Sequence, residues 1–348
     1  MFVVALLGLF QDRLKLLVLV LLLFVLLFRL LVLLLLVGIL VLALLLVLLL
    51  LLLIVSYGVY RFVLYAPLGQ QNDPFHLPNG PQYLPKYDEM YRLTKELVDL
   101  PCERVYITSQ DGLQLAGDWH AGEPGHPVHI CCHGYRGMGV RDFCGGAQTL
   151  LGRGDTVLLI HQRGQGDSQG HTMTFGIRER EDVRLWAEYC AKRCPDTPLF
   201  LHGISMGAAT VLMTSALPLP KAVKGILADC PYDVPKDIIT LTAKKSAGPL
   251  AGLLWPFLCV GAFLFARGLR FDHVCCHEAV KRTPVPILII HGEDDRFVPA
   301  YMSEPMAAAN PARVTRFTFP DAGHGMSYLM DTPRYQRITK DFIESCLK

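Results

Sequence analysis

A long apolar run near the N-terminus limits the folds open to this chain more than any other feature. Across residues 16–55 nearly every residue is Leu, Val, Ile, Phe or Ala, and the exceptions are Arg29 and Gly38. As a straight helix this run would extend about 60 Å, roughly twice the hydrocarbon thickness of a bilayer. Such a segment must meet lipid, so residues 1–56 are predicted to be a membrane anchor.

Two topologies fit this anchor. In the first, the uncharged stretch 30–55 crosses the bilayer once as a helix of roughly 39 Å. Arg13, Lys15 and Arg29 then stay in the cytoplasm with the N-terminus, and the rest of the chain lies outside. In the second, two short helices turn near Gly38 and the chain returns to the cytoplasm. The lack of a polar turn favours the single pass, and the run is too long for the apolar core of a cleaved signal peptide.

The cysteines favour a reducing compartment, whereas the single-pass topology places the chain after the anchor outside the cytoplasm. All eleven follow residue 101, in an odd number, and a secreted domain would normally pair them. We therefore hypothesise that this part of the chain sees a reducing environment. Segment 273–277 (HVCCH) concentrates possible metal ligands, but they are too crowded for the usual zinc-finger spacing. No metal site and no cofactor are predicted.

Composition divides the remainder of the chain. Residues 57–101 are predicted to be a proline-marked linker ending in an amphipathic helix, Tyr87–Val98. Residues 102–348 are long enough for one α/β domain and begin with a predicted hairpin of strands 106–109 and 113–119. The 33 basic and 31 acidic residues nearly balance, which gives no electrostatic case for nucleic-acid binding.

One serine sits in a pattern typical of a catalytic nucleophile. Residues 203–207 (GISMG) follow an apolar strand predicted at 198–201 and precede a small-residue helix beginning near 208. In such an elbow a strained turn lifts the serine hydroxyl clear of the sheet, and Gly203 and Gly207 avoid collisions there. Ser205 is therefore the predicted nucleophile.

A nucleophilic serine needs a base and an acid that orients the base. In folds where the serine lies in such a strand–turn–helix elbow, these residues follow it along the chain in the order Asp, His. Asp295 lies in a polar loop after the apolar segment 285–290, and His324 lies between glycines after the predicted strand Val314–Phe319. We predict Asp295 as the acid and His324 as the base. Asp294 and Asp229, which ends another predicted strand, are the rival acids.

These motifs together resemble the α/β-hydrolase superfamily over roughly residues 100–348. These segments occur in the family's order: 133–137 (HGYRG) after a predicted strand Val128–Cys132, 162–168 (QRGQGDS) after a predicted strand Thr156–Ile160, the serine elbow, 291–299 (HGEDDRFVP) and 323–325 (GHG). The resemblance is greatest to serine-aminopeptidase-like and monoglyceride-lipase-like hydrolases, especially membrane-anchored bacterial ones. It implies a mostly parallel sheet with helices on both faces and a helical cap. It also implies an oxyanion hole formed by the backbone N–H groups of Tyr135 and Met206.

An insertion at about 234–284 separates two predicted core strands where relatives place the cap. Its centre, 250–265, is strongly apolar and holds one Trp and three Phe residues. This segment fits a helix packed on the core. It also fits an acyl-binding wall or a surface that enters the bilayer.

Three functions follow from these patterns. An anchored serine hydrolase acting on carboxylic esters, lipid-like ones included, fits the complete triad and the apolar cap; acyl transfer and thioester hydrolysis use the same residues. A peptidase would need a further carboxylate to hold the substrate ammonium, and the candidates are Glu293, Asp233, Glu179, Glu181 and Asp182. A non-catalytic, membrane-tethered scaffold is the third, although a decayed site would be expected to lack at least one triad residue.

Overall fold

The computed structural model describes residues 2–66, 73–78, 80–271 and 274–348. Pro67 of the predicted linker and His273 of the HVCCH segment lie outside these residues. The chain divides into two compact units, Met1–Gly58 and Val59–Lys348. The described part of the predicted 57–101 linker therefore belongs almost entirely to the same unit as the predicted catalytic domain.

The N-terminal apolar run forms one helix, α1 (Phe2–Val63). It is long and apolar enough to cross a membrane, and most of the leucine and valine side chains described in it are exposed. The helix continues through Gly38, so the alternative of two short helices that turn there is wrong, and the favoured single helix is found. A single glycine costs a helix only about 1 kcal/mol, which the flanking leucines readily offset.

Eight strands form one sheet in the second unit. They are β1 (Glu103–Thr108), β2 (Gln114–His120), β3 (Val128–Cys132), β4 (Thr156–Ile160), β5 (Leu199–Ile204), β6 (Val223–Asp229), β7 (Ile287–Gly292) and β8 (Val314–Phe319). Their order in the sheet is β1-β2-β4-β3-β5-β6-β7-β8. The β1–β2 hairpin pairs antiparallel within itself and with β4, and every other pairing is parallel.

The helices of this unit connect and cover the strands. They are α2 (Tyr87–Val98), α3 (Gly139–Asp142), α4 (Cys144–Leu151), α5 (Glu179–Arg193), α6 (Met206–Thr214), α7 (Pro235–Ala247), α8 (Trp255–Phe265), α9 (Cys276–Val280), α10 (Glu304–Ala309), α11 (Ser327–Met330) and α12 (Thr332–Leu347). Short 3₁₀ helices occupy Leu84–Lys86, Pro249–Leu254 and Ala300–Ser303. Helices α7, α8 and α9 make up the predicted insertion between β6 and β7.

Alternation along the strands builds two cores. In β4, Leu158 and Ile160 join the larger apolar cluster with residues of α5 and α6, whereas Val157 and Leu159 join the second cluster with residues of α2, α4 and α12. Because successive side chains of a strand point to opposite faces, a fully apolar strand can be covered on both sides. The predicted α/β-hydrolase fold, with helices on both faces, is confirmed.

Candidate active site

The serine elbow forms where β5 passes into α6. Ser205 has φ 57° and ψ −115°, a conformation that L-residues rarely adopt and that costs of order 1–3 kcal/mol. A Cβ atom on Gly203 would lie 2.2 Å from the Gly207 carbonyl oxygen, and one on Gly207 would lie 1.9 Å from the Cys132 carbonyl oxygen. Both positions therefore require glycine, and the tight crossing aims the Ser205 side chain away from the sheet.

The three predicted triad residues form one chain of hydrogen bonds. Ser205 Oγ lies 2.9 Å from His324 Nε2, and His324 Nδ1 lies 2.7 Å from Asp295 Oδ2. All three residues are buried, with 5 to 9% of their surface exposed. Because a carboxylate only accepts, Nδ1 carries the proton and Nε2 is free to accept the serine proton. This is the geometry that a serine nucleophile with its base and orienting acid requires.

Asp295 is held in its ionised form. Burial would raise the pKa of Asp295, but the charge of His324 and hydrogen bonds from His291 and His324 outweigh it and hold that pKa below its ordinary value. The second oxygen, Oδ1, accepts the N–H groups of Phe297 and Val298, each at 2.8 Å. Besides His324, three further groups thus fix Asp295, namely His291 and the N–H groups of Phe297 and Val298, and the predicted triad did not include them.

The rival acids occupy different environments. Asp294 is exposed, and its N–H donates to the Ala322 carbonyl. Asp229 is buried at the end of β6, its carbonyl accepts the Ser205 N–H at 2.9 Å, and burial raises its pKa to about 6. Neither carboxylate bonds to His324 in the way that Asp295 does, so the geometry favours Asp295 as the acid.

The predicted oxyanion residues lie on either side of the serine. Met206 begins α6, so its N–H is one of the helix's N-terminal groups without an intrahelical acceptor. Tyr135 follows Gly134, where an added Cβ atom would lie 3.4 Å from Ser205 Cβ. The loop 133–137 therefore runs directly against the nucleophile.

Polar partners fix that loop. The Gly134 N–H donates to Asp142 Oδ2 at 2.8 Å, and Arg141 Nε donates to the other oxygen of Asp142 at 3.1 Å. Burial lowers the pKa of His133 to about 4, so its ring is neutral at physiological pH. Nδ1 of His133 then donates to the Gly134 carbonyl, and Nε2 accepts the Gln162 N–H.

A cavity of about 350 Å³ opens onto the serine. That volume is near the lower end of the range for small-molecule sites. Its lining is mostly apolar or aromatic beside Ser205 and His324, and the carboxylates among the lining residues are Asp142 and Asp229. The other main lining residues are Tyr83, Met90, Phe143, Ile204, Phe297, Met326, Tyr328, Leu329 and Tyr335.

Sequence reasoning missed the segment that roofs this cavity. Gln82 and Tyr83 precede α2 and line the cavity, and the Gln82 side-chain oxygen accepts the His324 N–H at 3.1 Å. Leu77 and Met90 pack with Met326 and Leu329, which follow His324 in the chain. We call residues 77–78 and 80–90 the roof segment. Its only sequence signal is the polar and apolar spacing of α2, which does not indicate what the segment covers.

The insertion at 234–284 was expected to pack on the core, to line the substrate cavity or to enter the bilayer. Among the described residues, those that line the cavity include none from 234–284. Leu258 and Ala262 of α8 are buried in the main core, whereas Leu250, Leu253, Phe263 and Leu264 are exposed. The described lining of this cavity thus gives no support to the alternative of an acyl-binding wall, and the contacts favour the packed helix, with an exposed apolar face.

The carboxylates named for a peptidase have other partners. Glu293 is exposed and accepts from Thr318, and Glu179 accepts the N–H groups of Thr174 and Gly176. Asp182 pairs with Arg163, and Glu181 with Arg184. Asp233 bonds to His277. None of these five carboxylates is among the described residues that line the cavity.

A hydrogen-bonded Ser-His-Asp triad at the C-terminal edge of a mostly parallel sheet defines a hydrolase of the α/β class. The chain belongs to the alpha/beta hydrolase family, whose sequence profile matches residues 130–335. It is similar to the uncharacterized protein YqkD of Bacillus subtilis, with 24% identity over 62% of this chain and 70% of that protein. It is also similar to the lysophosphatidylserine lipase ABHD12 of Danio rerio, with 22% identity over 69% of each chain.

Solved structures agree on the fold. The Pyrococcus furiosus esterase Pf2001 superposes with a TM-score of 0.58 and 21% identity, covering 72% of this chain and 93% of that one. At that identity the likeness shows the fold alone.

Proposed function

We propose that this protein is a membrane-anchored serine hydrolase that cleaves carboxylic esters through an acyl-enzyme. The observation that carries the proposal is the continuous hydrogen-bonded chain from Ser205 through His324 to Asp295, at the mouth of an apolar cavity. Esterase and lipase names among the similar proteins support the same reaction class.

The chemistry follows from these positions. His324 Nε2 takes the Ser205 proton as the serine oxygen attacks the acyl carbonyl, and Asp295 stabilises the imidazolium that forms. The N–H groups of Tyr135 and Met206 donate to the developing oxyanion. The imidazolium protonates the departing alcohol, and water then cleaves the acyl-enzyme with His324 again acting as base. No cofactor enters any of these steps.

The substrate proposed is a lipid-like ester that reaches the site from a membrane. Helix α1 supplies a segment able to span a bilayer, with the N-terminus in the cytoplasm in the single-pass topology. The apolar cavity lining suits an acyl chain, and its small volume favours short and medium chains.

Hydrolysis of p-nitrophenyl esters from acetate to palmitate tests the proposal. We expect turnover with the best rates between butyrate and octanoate, and complete loss in Ser205→Ala. A fluorophosphonate probe should label the wild-type serine and leave that variant unlabelled. Labelling without ester turnover would redirect the proposal to peptide or acyl-transfer substrates, and absence of both would leave the scaffold function.

A further inference from the structure

Four possible metal ligands meet at the base of the insertion. Asp233 lies in the loop after β6, whereas Cys275, His277 and Glu278 lie at the start of α9. The ligand atoms of Asp233, Cys275 and His277 all lie within 4.8 Å of one another. The two ends of the insertion therefore lie side by side, with Asp233 at one end and Cys275 and His277 at the other.

The His277 ring has a defined orientation. Its Nδ1 lies 2.7 Å from Asp233 Oδ2, and its backbone N–H donates to Asp233 Oδ1 at 2.9 Å. Because the carboxylate only accepts, Nδ1 carries the proton and Nε2 presents a lone pair. That Nε2 lies 3.7 Å from Cys275 Sγ and 3.3 Å from Glu278 Oε1.

The two separations from His277 Nε2 match two edges of a zinc tetrahedron. The Glu278 side chain is half exposed, so it can turn toward Cys275 Sγ to close the third edge. With Zn–S near 2.3 Å and Zn–N and Zn–O near 2.0–2.1 Å, a tetrahedral ion holds sulfur and nitrogen about 3.6 Å apart and nitrogen and oxygen about 3.3 Å apart. A histidine ligand with a carboxylate on its other nitrogen is the usual outer-shell arrangement at such sites. We propose that Cys275, His277 and Glu278 bind a zinc ion, with Asp233 orienting the imidazole.

The adjacent cysteine has a separate role, which the sequence did not distinguish. Cys276 is fully buried, and its thiol donates to the carbonyls of Ala209 and Tyr232. His277 and Glu278 are 31% and 50% exposed, so water can complete the coordination. Glu278 also pairs with Lys281, and a carboxylate has enough lone pairs to serve both partners.

Cobalt substitution tests the site in the purified full chain in detergent micelles. We expect metal-free protein to bind one equivalent of Co²⁺ with thiolate-to-cobalt charge-transfer absorbance and the visible bands of tetrahedral cobalt, both displaced by Zn²⁺. Cys275→Ser should remove the charge-transfer band. Cys102→Ser, which changes another partly exposed thiol, is the matched control and should keep the band.

Further variants separate binding from folding. Asp233→Asn should weaken zinc binding 10- to 100-fold and keep the cobalt spectrum, because Asp233 acts through the imidazole. Glu278→Gln changes an exposed side chain, so we expect the metal-free chain to fold normally and to bind zinc at least tenfold more weakly. The proposal is overturned by an absent cobalt band at one equivalent, by a band that survives Cys275→Ser, or by unchanged zinc affinity in Glu278→Gln.

Discussion

Asp295 and Asp229 are two buried carboxyl groups near Ser205, and their hydrogen-bond partners and pKa values differ. Asp295 has partners for both oxygens and a pKa held below its ordinary value. Asp229 is also buried, yet its Oδ1 has no hydrogen-bond partner among the described residues, and burial raises its pKa to about 6. The first group is suited to stabilise an imidazolium, and the second is not.

We therefore expect Asp295→Asn and Asp229→Asn to differ in activity. Asp295→Asn should lower kcat by about 10⁴-fold, because the imidazole loses both its tautomer and its counter-charge. Asp229→Asn should lower kcat less than tenfold. Steady-state hydrolysis of p-nitrophenyl butyrate measures both, and an equal loss in the two variants would transfer the orienting role to Asp229.

The same Asp229→Asn variant should change how stability depends on pH. A carboxyl whose pKa is higher in the folded than in the unfolded protein binds more protons when folded, so stability falls as pH rises from about 4 to about 6. Asparagine cannot ionise and escapes this loss. Its free energy of unfolding relative to wild type should therefore improve by on the order of 2 kcal/mol between pH 4 and pH 7.

Urea unfolding at the two pH values measures this change. Asp294→Asn, at an exposed carboxylate, is the control and should show no such gain. A constant difference between Asp229→Asn and wild type at both pH values would contradict the raised pKa.

Residue spacing anticipated part of this geometry and missed another part. Counting from Gly292 favoured Asp295 over Asp294, and the structure buries Asp295 and exposes Asp294. The contact of Gln82 with His324 spans 242 positions and has no motif. A contact of that kind depends on tertiary packing, which a local pattern does not encode.

At the scale of structural elements, the roof segment connects the predicted linker to His324, the proposed general base. Gln82 holds the backbone of His324 while Leu77 and Met90 pack on the chain just beyond it. The roof segment therefore encloses the cavity and also positions the histidine.

Gln82→Ala should lower kcat about tenfold with a smaller effect on KM. Loss of one hydrogen bond, roughly 1 kcal/mol, lets His324 shift from its place between Ser205 and Asp295. Gln110→Ala, at an exposed glutamine, is the matched control. A rise in KM at constant kcat would assign Gln82 to substrate binding instead of histidine positioning.

Helix α8 and the turn before it carry an exposed apolar surface with basic flanks. Leu250 and Leu253 are 73% and 70% exposed, and the segment 238–271 contains Lys244, Lys245, Arg267 and Arg270 but no acidic residue. An apolar surface with basic neighbours suits the interface of an anionic bilayer.

We expect a Leu250→Ser, Leu253→Ser double variant to bind anionic vesicles at least tenfold more weakly. The chain without residues 1–58 is used, so that α1 does not mask the effect. Leu347→Ser, at another exposed leucine, is the control. Equal vesicle binding by the double variant and wild type, with unchanged melting temperature, would exclude this surface.

Continuous apolar strands and one clearly amphipathic helix are the elements that the sequence predicted best. Strands Val128–Cys132, Thr156–Ile160 and Val314–Phe319 and helix Tyr87–Val98 have the predicted bounds. Helices α7, α8 and α9 lie between β6 and β7, and the described residues that line the cavity include none of theirs. Periodicity defines which face of a helix is apolar, and it does not say whether that face meets a core, a ligand or a lipid.

At the scale of the whole molecule, the compact unit begins well before the first strand. Tyr135 Oη donates to the Val63 carbonyl at 2.7 Å, and Arg136 donates to the Phe62 carbonyl at 2.9 Å. The chain from 59 onward thus supports the predicted oxyanion loop.

Two truncations should therefore behave differently. A fragment of residues 59–348 keeps the contacts to Tyr135 and Arg136 and the whole roof segment, so we expect cooperative unfolding and ester hydrolysis that Ser205→Ala abolishes. A fragment of residues 87–348 keeps the triad and all eight strands but lacks Gln82, Tyr83 and the carbonyls that hold the oxyanion loop. Its kcat should fall at least 100-fold, because loop and histidine lose their supports together. Equal turnover by the two fragments would show that residues 59–86 serve only to connect the anchor to the enzyme.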